Sequence, residues 1–134
     1  MKQDELKRSN HAVYQVCYHF VWIPKRRKKV LVGMVSERLR QICEAVADEH
    51  GWTIRRLAIQ PDHVHLFVEA TPKERPHEIV RAFKGRSSRL LRQEFPHLLK
   101  LPSLWTHSYF CRTAGNVSAA VIERYIREQS HDRP

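Results

Sequence analysis

The chain has 134 residues, with 24 Lys and Arg against 14 Asp and Glu and a formal charge of +10. That length suits a single domain over residues 1–134 with a core of its own, and no apolar run approaches the length of a membrane span. The basic excess implies a polyanionic partner, nucleic acid before membrane. Three widely spaced cysteines, Cys17, Cys43 and Cys111, make neither a disulfide framework nor a zinc ribbon. They fit a reducing cytoplasm, and the charged opening MKQDELKRSN lacks the apolar segment of an export signal.

HAVYQVCYHFVWI (11–23) is rich in β-branched and aromatic residues and predicts a strand, followed by the basic run PKRRKK. SERLRQICEAVADEH (36–50) predicts an amphipathic helix capped by Ser36, with Leu39, Ile42 and Val46 as its apolar stripe and Gly51 as its stop. WTIRRLAI (52–59) and HVHLFVEA (63–70) read as a hairpin around the QPD turn. A second helix is expected over 77–94, weakened at Gly85. LWTHSYFCRT (104–113) predicts a fourth strand, and a last helix follows over 116–130 with Asn116 or Ser118 as its cap. The order β-α-β-β-α-β is that of the ferredoxin-like, RRM-like α+β unit, with helices on one face of an antiparallel sheet and here an added C-terminal helix.

The third strand is unusual. A period of two sets Val64, Leu66 and Val68 on one face and His63, His65 and Phe67 on the other. If the branched residues face the helices, the imidazoles emerge on the opposite face, which only the terminal helix is left to cover. Two imidazoles at i and i+2 are close enough to hold one cation. Exposed sheet histidines are the commoner outcome of that spacing, and no CxxC pair is present to complete a structural zinc site. Tyr125 and Gln129, four apart, share one face of the terminal helix. Glu128 is an alternative ligand on a different face, and Tyr125 packing with Ile122 and Ile126 is the plain alternative. A tyrosine beside a cation that grips a phosphate suits nucleophilic attack on phosphorus.

Lys25, Arg26, Arg27, Lys28 and Lys29 form an unbroken basic run. On the second helix Arg81, Lys84, Ser88 and Arg92 share a face flanked by Arg86 and Arg89, with no acid between 81 and 92. Solvated helix faces usually mix signs, so these residues are expected to contact phosphate, with Ser87 and Ser88 as neutral donors. No Walker or GxGxxG loop appears, which argues against nucleotide hydrolysis. Acids near the histidine strand are too few for a two-metal carboxylate nuclease.

Taken together, PDHVH, KGRSSRLLRQEFPHL, LWTHSYF and VIERYIREQ, with YHFVWIPKRRKKVL before them, resemble the HUH single-tyrosine transposases of TnpA type over residues 11–130. The resemblance implies that His63, His65 and Gln129 hold Mg²⁺ or Mn²⁺. It also implies that Tyr125 cuts single-stranded DNA through a 5′-phosphotyrosine link. The implied partners are DNA hairpins at the ends of an insertion sequence and a second copy of the chain, each site pairing one subunit's histidines with the other's tyrosine helix. Arg26 stands where the family commonly carries an aromatic, and Ala114-Gly115 where many relatives carry two glycines. Two other readings keep the same topology: a non-catalytic single-stranded nucleic-acid or hairpin-binding module, and a domesticated relative that processes repetitive hairpins.

Overall fold

The computed structural model describes residues 16–113 and 125–128. Its elements are β1 (Val16–Trp22), α1 (Gly33–His50), β2 (Thr53–Gln60), β3 (His63–Ala70), α2 (Pro76–Glu94) and β4 (Phe110–Thr113), with 3-10 turns at Lys25–Arg27 and Pro96–Lys100. The strands form one four-stranded sheet in the order β2-β3-β1-β4. Every pairing is antiparallel. This is the ferredoxin-like α+β arrangement expected from the element order.

Alternation decides which residues meet the helices. Phe20 and Trp22 of β1 and Val64, Leu66 and Val68 of β3 are all 0% exposed. They pack with Leu39, Ile42 and Val46 of α1 and with Ile79, Phe83 and Leu91 of α2 in one core cluster. Removing that surface from water is the main stabilising term for a domain of this size. Gly51 ends α1 in the left-handed conformation (φ 72°), its N–H reaching back to the carbonyls of Ala47 and Asp48.

Two expectations need correction. α1 begins at Gly33 rather than Ser36, with Val32 at the cap position and no side-chain cap bond; Ser36 lies in the first turn, where its N–H reaches the Val32 carbonyl. The second helix is present as expected: α2 runs unbroken through Gly85 and takes Pro76 in its first turn. The fourth strand covers only Phe110–Thr113, not 104–113. Ahead of it the ladder is reduced, among the described residues, to one isolated bridge, Trp105 to Pro24. The Lys84 ammonium donates to the carbonyls of Thr106, His107 and Ser108. The Trp105 indole donates to Ser87 Oγ. Three carbonyls that a neighbouring strand could have paired are thus taken by one side chain of α2, Lys84. The N-terminal part of the first predicted strand (11–15) and most of the terminal helix lie outside the described residues, within which Tyr125–Glu128 is helical.

Candidate functional site

On the face of the sheet away from α1 and α2, β1 contributes His19 and Val21 and β3 contributes His63, His65 and Phe67. The register sets Val21 opposite His65 and His19 opposite Phe67. The His63 and His65 rings are 4.9 Å apart between centroids. The expectation that both imidazoles emerge opposite the helix-packed residues therefore holds.

Each ring is held from behind. His63 Nδ1 donates to Asp62 Oδ1 at 2.8 Å, and the other carboxylate oxygen accepts from Arg27 Nε, also at 2.8 Å. Burial pulls the Asp62 carboxyl upward. The hydrogen bonds from His63 and Arg27 and the charges of both outweigh it, and the group sits below its usual range. His65 Nδ1 lies 3.3 Å from His19 Nε2. Burial, then the neighbouring His63, His19 and Arg56, push the His65 imidazole down to about 4. A ring so shifted is neutral near neutral pH, as a metal ligand must be.

A divalent cation fits this pair. Both Nδ1 atoms are engaged, and no partner among the described residues engages either Nε2. A carboxylate behind a ligating imidazole is the common outer support of such sites. Among the described residues, no group of three or more His, Cys, Asp or Glu could hold a metal, so further donors are required. Gln129, the expected third ligand, lies outside the described residues, while Glu128 is exposed.

Tyr125 lies on this same face. Ile126 is buried with Val21 and Ile23, and Tyr125 and Phe110 pack against that small cluster. The Tyr125 ring is 5.8 Å from Phe110, and its hydroxyl is 3.3 Å from Ser108 Oγ. Val21, which supports the tyrosine turn, is the cross-strand partner of His65. The tyrosine is thus seated over β1 and β4, and the imidazole pair sits on β3 beside them, with strands spaced about 4.8 Å apart.

The expected phosphate-binding residues separate into two groups. Lys25 is buried at 5% exposure, and Arg27 is tied to Asp62. Arg26 and Lys28 are exposed, with Arg26 in the left-handed region at φ 59°. On α2, Arg81 and Arg89 are exposed and Ser88 is half-buried. Arg86 grips Glu49 with both terminal nitrogens. Arg92 donates to the Leu101 carbonyl. Ser87 is fully buried, donating to Phe83 and accepting from Trp105. Lys84 serves the 106–108 carbonyls, and burial draws its ammonium down to about 8.

Sequence patterning missed His19 and the parts played by Asp62 and Ser108. His19 shares the period-two face of Val21, so its side was readable. Its approach to His65 depends on the β1–β3 register, which strand patterning alone does not supply.

Fold and site together define a basic α+β protein with paired imidazoles and a tyrosine on one sheet face. Residues 12–129 match the family model described as "Transposase IS200 like". The chain is 36% identical to the ISDra2 transposase TnpA of Deinococcus radiodurans over 132 residues, covering 96% of this chain and 94% of that one. It is 30% identical over 129 residues to the transposase for insertion sequence element IS200 of Salmonella typhimurium, covering 89% and 80%. Among solved structures, a putative transposase from Deinococcus radiodurans superposes with a TM-score of 0.85 at 37% identity, covering 92% of this chain and 98% of that one. A REP-associated tyrosine transposase bound to a REP hairpin shares the fold at a TM-score of 0.53 and 15% identity, covering 89% and 68%. The chain belongs to the IS200-like transposase family. No helix among its described residues is long and apolar enough to cross a membrane.

Proposed function

We propose that this transposase cuts and rejoins single-stranded DNA at hairpins flanking a mobile element. Tyr125 is the nucleophile, and a divalent cation, Mg²⁺ or Mn²⁺, is held by His63, His65 and Gln129. The phenol oxygen bonds to phosphorus as the bond from phosphorus to the 3′ oxygen breaks. The phenol loses its proton, and the departing 3′ oxygen gains one. The products are a 5′-phosphotyrosine and a 3′-OH. Attack by another 3′-OH on that linkage reverses the step and joins strands. The phosphodiester energy is kept in the covalent link, so no nucleoside triphosphate is consumed. When bound, the cation polarises the phosphoryl oxygens and neutralises developing charge.

The observation that carries this reading is the shared face. His63 and His65 both have Nδ1 engaged, which leaves Nε2 as the coordinating atom of each. Tyr125 packs on the cluster that includes the cross-strand partner of His65. Asp62 holds the His63 ring, and Ser108 supports the phenol at rest. The edge strands β2 and β4 suit a homodimer joined through its sheets, in which tyrosine turns are exchanged between subunits. Exposed Arg26, Lys28, Arg81 and Arg89 are the best placed to meet phosphates. The setting is the bacterial or archaeal cytoplasm.

Labelled single-stranded oligonucleotides carrying the flanking hairpins test the proposal. With Mn²⁺, the wild-type protein should form a protein-linked product, and Tyr125→Phe should form none while still binding the hairpin. Adducts persisting in Tyr125→Phe would remove the nucleophile assignment. Hairpin binding without cation-dependent cleavage would leave a binding module.

A further inference from the structure

His19 stands on β1 behind the imidazole pair and is 1% exposed. Its ring lies flat on Phe67, with centroids 4.0 Å apart and planes within 9° of parallel, so packing on β3 fixes its orientation. Its Nε2 is 3.3 Å from His65 Nδ1. Its Nδ1 is buried without a hydrogen-bond partner among the described residues. A histidine kept only to satisfy the core would spend its nitrogens on nearby backbone groups. The contact His19 makes instead is to a candidate ligand.

A hydrogen bond across this 3.3 Å contact requires one proton between the two rings, and its owner decides what His65 can do. With the proton on His65 Nδ1, His65 Nε2 keeps a lone pair and can coordinate. With the proton on His19 Nε2, a neutral His65 must carry its hydrogen on Nε2 and is closed to a cation. Resting on the metal reading above, we propose that His19 is a positioning residue. Its Nε2 accepts the Nδ1–H of His65, its own hydrogen resting on the buried Nδ1, and holds the His65 ring in the tautomer and orientation that present Nε2 to the cation. Asp62 performs the matching task for His63. The two ligands therefore have unlike supports, a carboxylate for one and a neutral imidazole for the other.

Full-length protein with substitutions at His19 tests this. His19→Phe keeps a flat ring against Phe67 but has no acceptor, whereas His19→Gln retains an acceptor oxygen. In the metal-free wild-type protein, long-range nitrogen–proton NMR should find His65 protonated on Nδ1, and in His19→Phe the proton should move toward Nε2. Mn²⁺ affinity, titrated by electron paramagnetic resonance, should fall about 10- to 100-fold in His19→Phe and recover in His19→Gln. Wild-type His65 protonated on Nε2, or His19→Phe binding Mn²⁺ as tightly as wild type, would overturn the proposal. Should His19→Phe fail to fold, the wild-type tautomer decides alone. His65→Ala separates this inference from the reading beneath it. If His65→Ala loses Mn²⁺ and His19→Phe does not, His19 has no positioning role and the metal site stands. If Mn²⁺ binding survives His65→Ala, the metal assignment itself fails.

Discussion

The two faces of the sheet are built from the same strands to opposite standards. Toward α1 and α2, β1 and β3 present Phe20, Trp22, Val64, Leu66 and Val68, every one fully buried. Toward the tyrosine turn, one residue along, they present His19, His63, His65 and Phe67 around a cluster of Val21, Ile23 and Ile126. The contrast teaches that fold and chemistry are separated by a single step of register. The helix-covered face supplies the stability that lets the other carry titratable rings.

Substitutions can break that separation. The largest difference is expected between Leu66→Ala and His65→Ala. The first should cost about 2–5 kcal/mol in chemical denaturation, because it leaves a cavity in a closed core. The second should cost about 1 kcal/mol or less, the worth of one hydrogen bond, yet abolish cation-dependent cleavage. Equal destabilisation by both would show that the histidine face also holds the fold. Next in size, Asp62→Asn should weaken Mn²⁺ binding about 10- to 100-fold by withdrawing the carboxylate behind His63, with a modest drop in the melting transition because Arg27 loses its charged partner.

Acid should bear on the histidine face. The His65 imidazole is held at about 4, below its ordinary 6.5, so the folded protein keeps it neutral where the unfolded chain is protonated. Its contribution is full above pH 6.5 and is lost as pH falls toward 4. With solvent screening of a partly exposed ring, the expected loss is on the order of 1–2 kcal/mol. Denaturation of the metal-free protein across that window measures it, and His65→Gln should flatten the slope. The smallest effect belongs to the exposed arginines. Replacing Arg81 or Arg89 with Ala should lower the salt slope of hairpin binding by about 1 for each phosphate left without its cation. Arg86→Ala, which removes a partner of Glu49, should leave that slope unchanged.

Much of this was legible in the chain. The alternation in HVHLFVEA gave both the core face and the imidazole pair, since a period of two leaves no other reading once Val64, Leu66 and Val68 turn inward. Gly51 and the hairpin after β2 followed from turn chemistry. The α2 surface was read by charge, and there side-chain partners decided otherwise. Ser87 falls four residues from both Phe83 and Leu91 and so belongs to the buried stripe, a spacing that outranks its polarity. Lys84 turned inward because three carbonyls of an irregular segment needed a donor. That segment looked like a strand because Trp105, Tyr109 and Phe110 favour strands. Propensity says nothing of a lysine from another element taking the backbone bonds.

That lysine has a consequence on the far side of the molecule. Its ammonium gathers the carbonyls of Thr106, His107 and Ser108 into one clasp, and Ser108 is the residue whose hydroxyl meets the Tyr125 phenol. The place of the Tyr125 phenol is thereby anchored through the thickness of the domain to the middle of α2. A Lys84→Met chain would lose the clasp, and with it the segment that steadies the Ser108 hydroxyl beside the Tyr125 phenol.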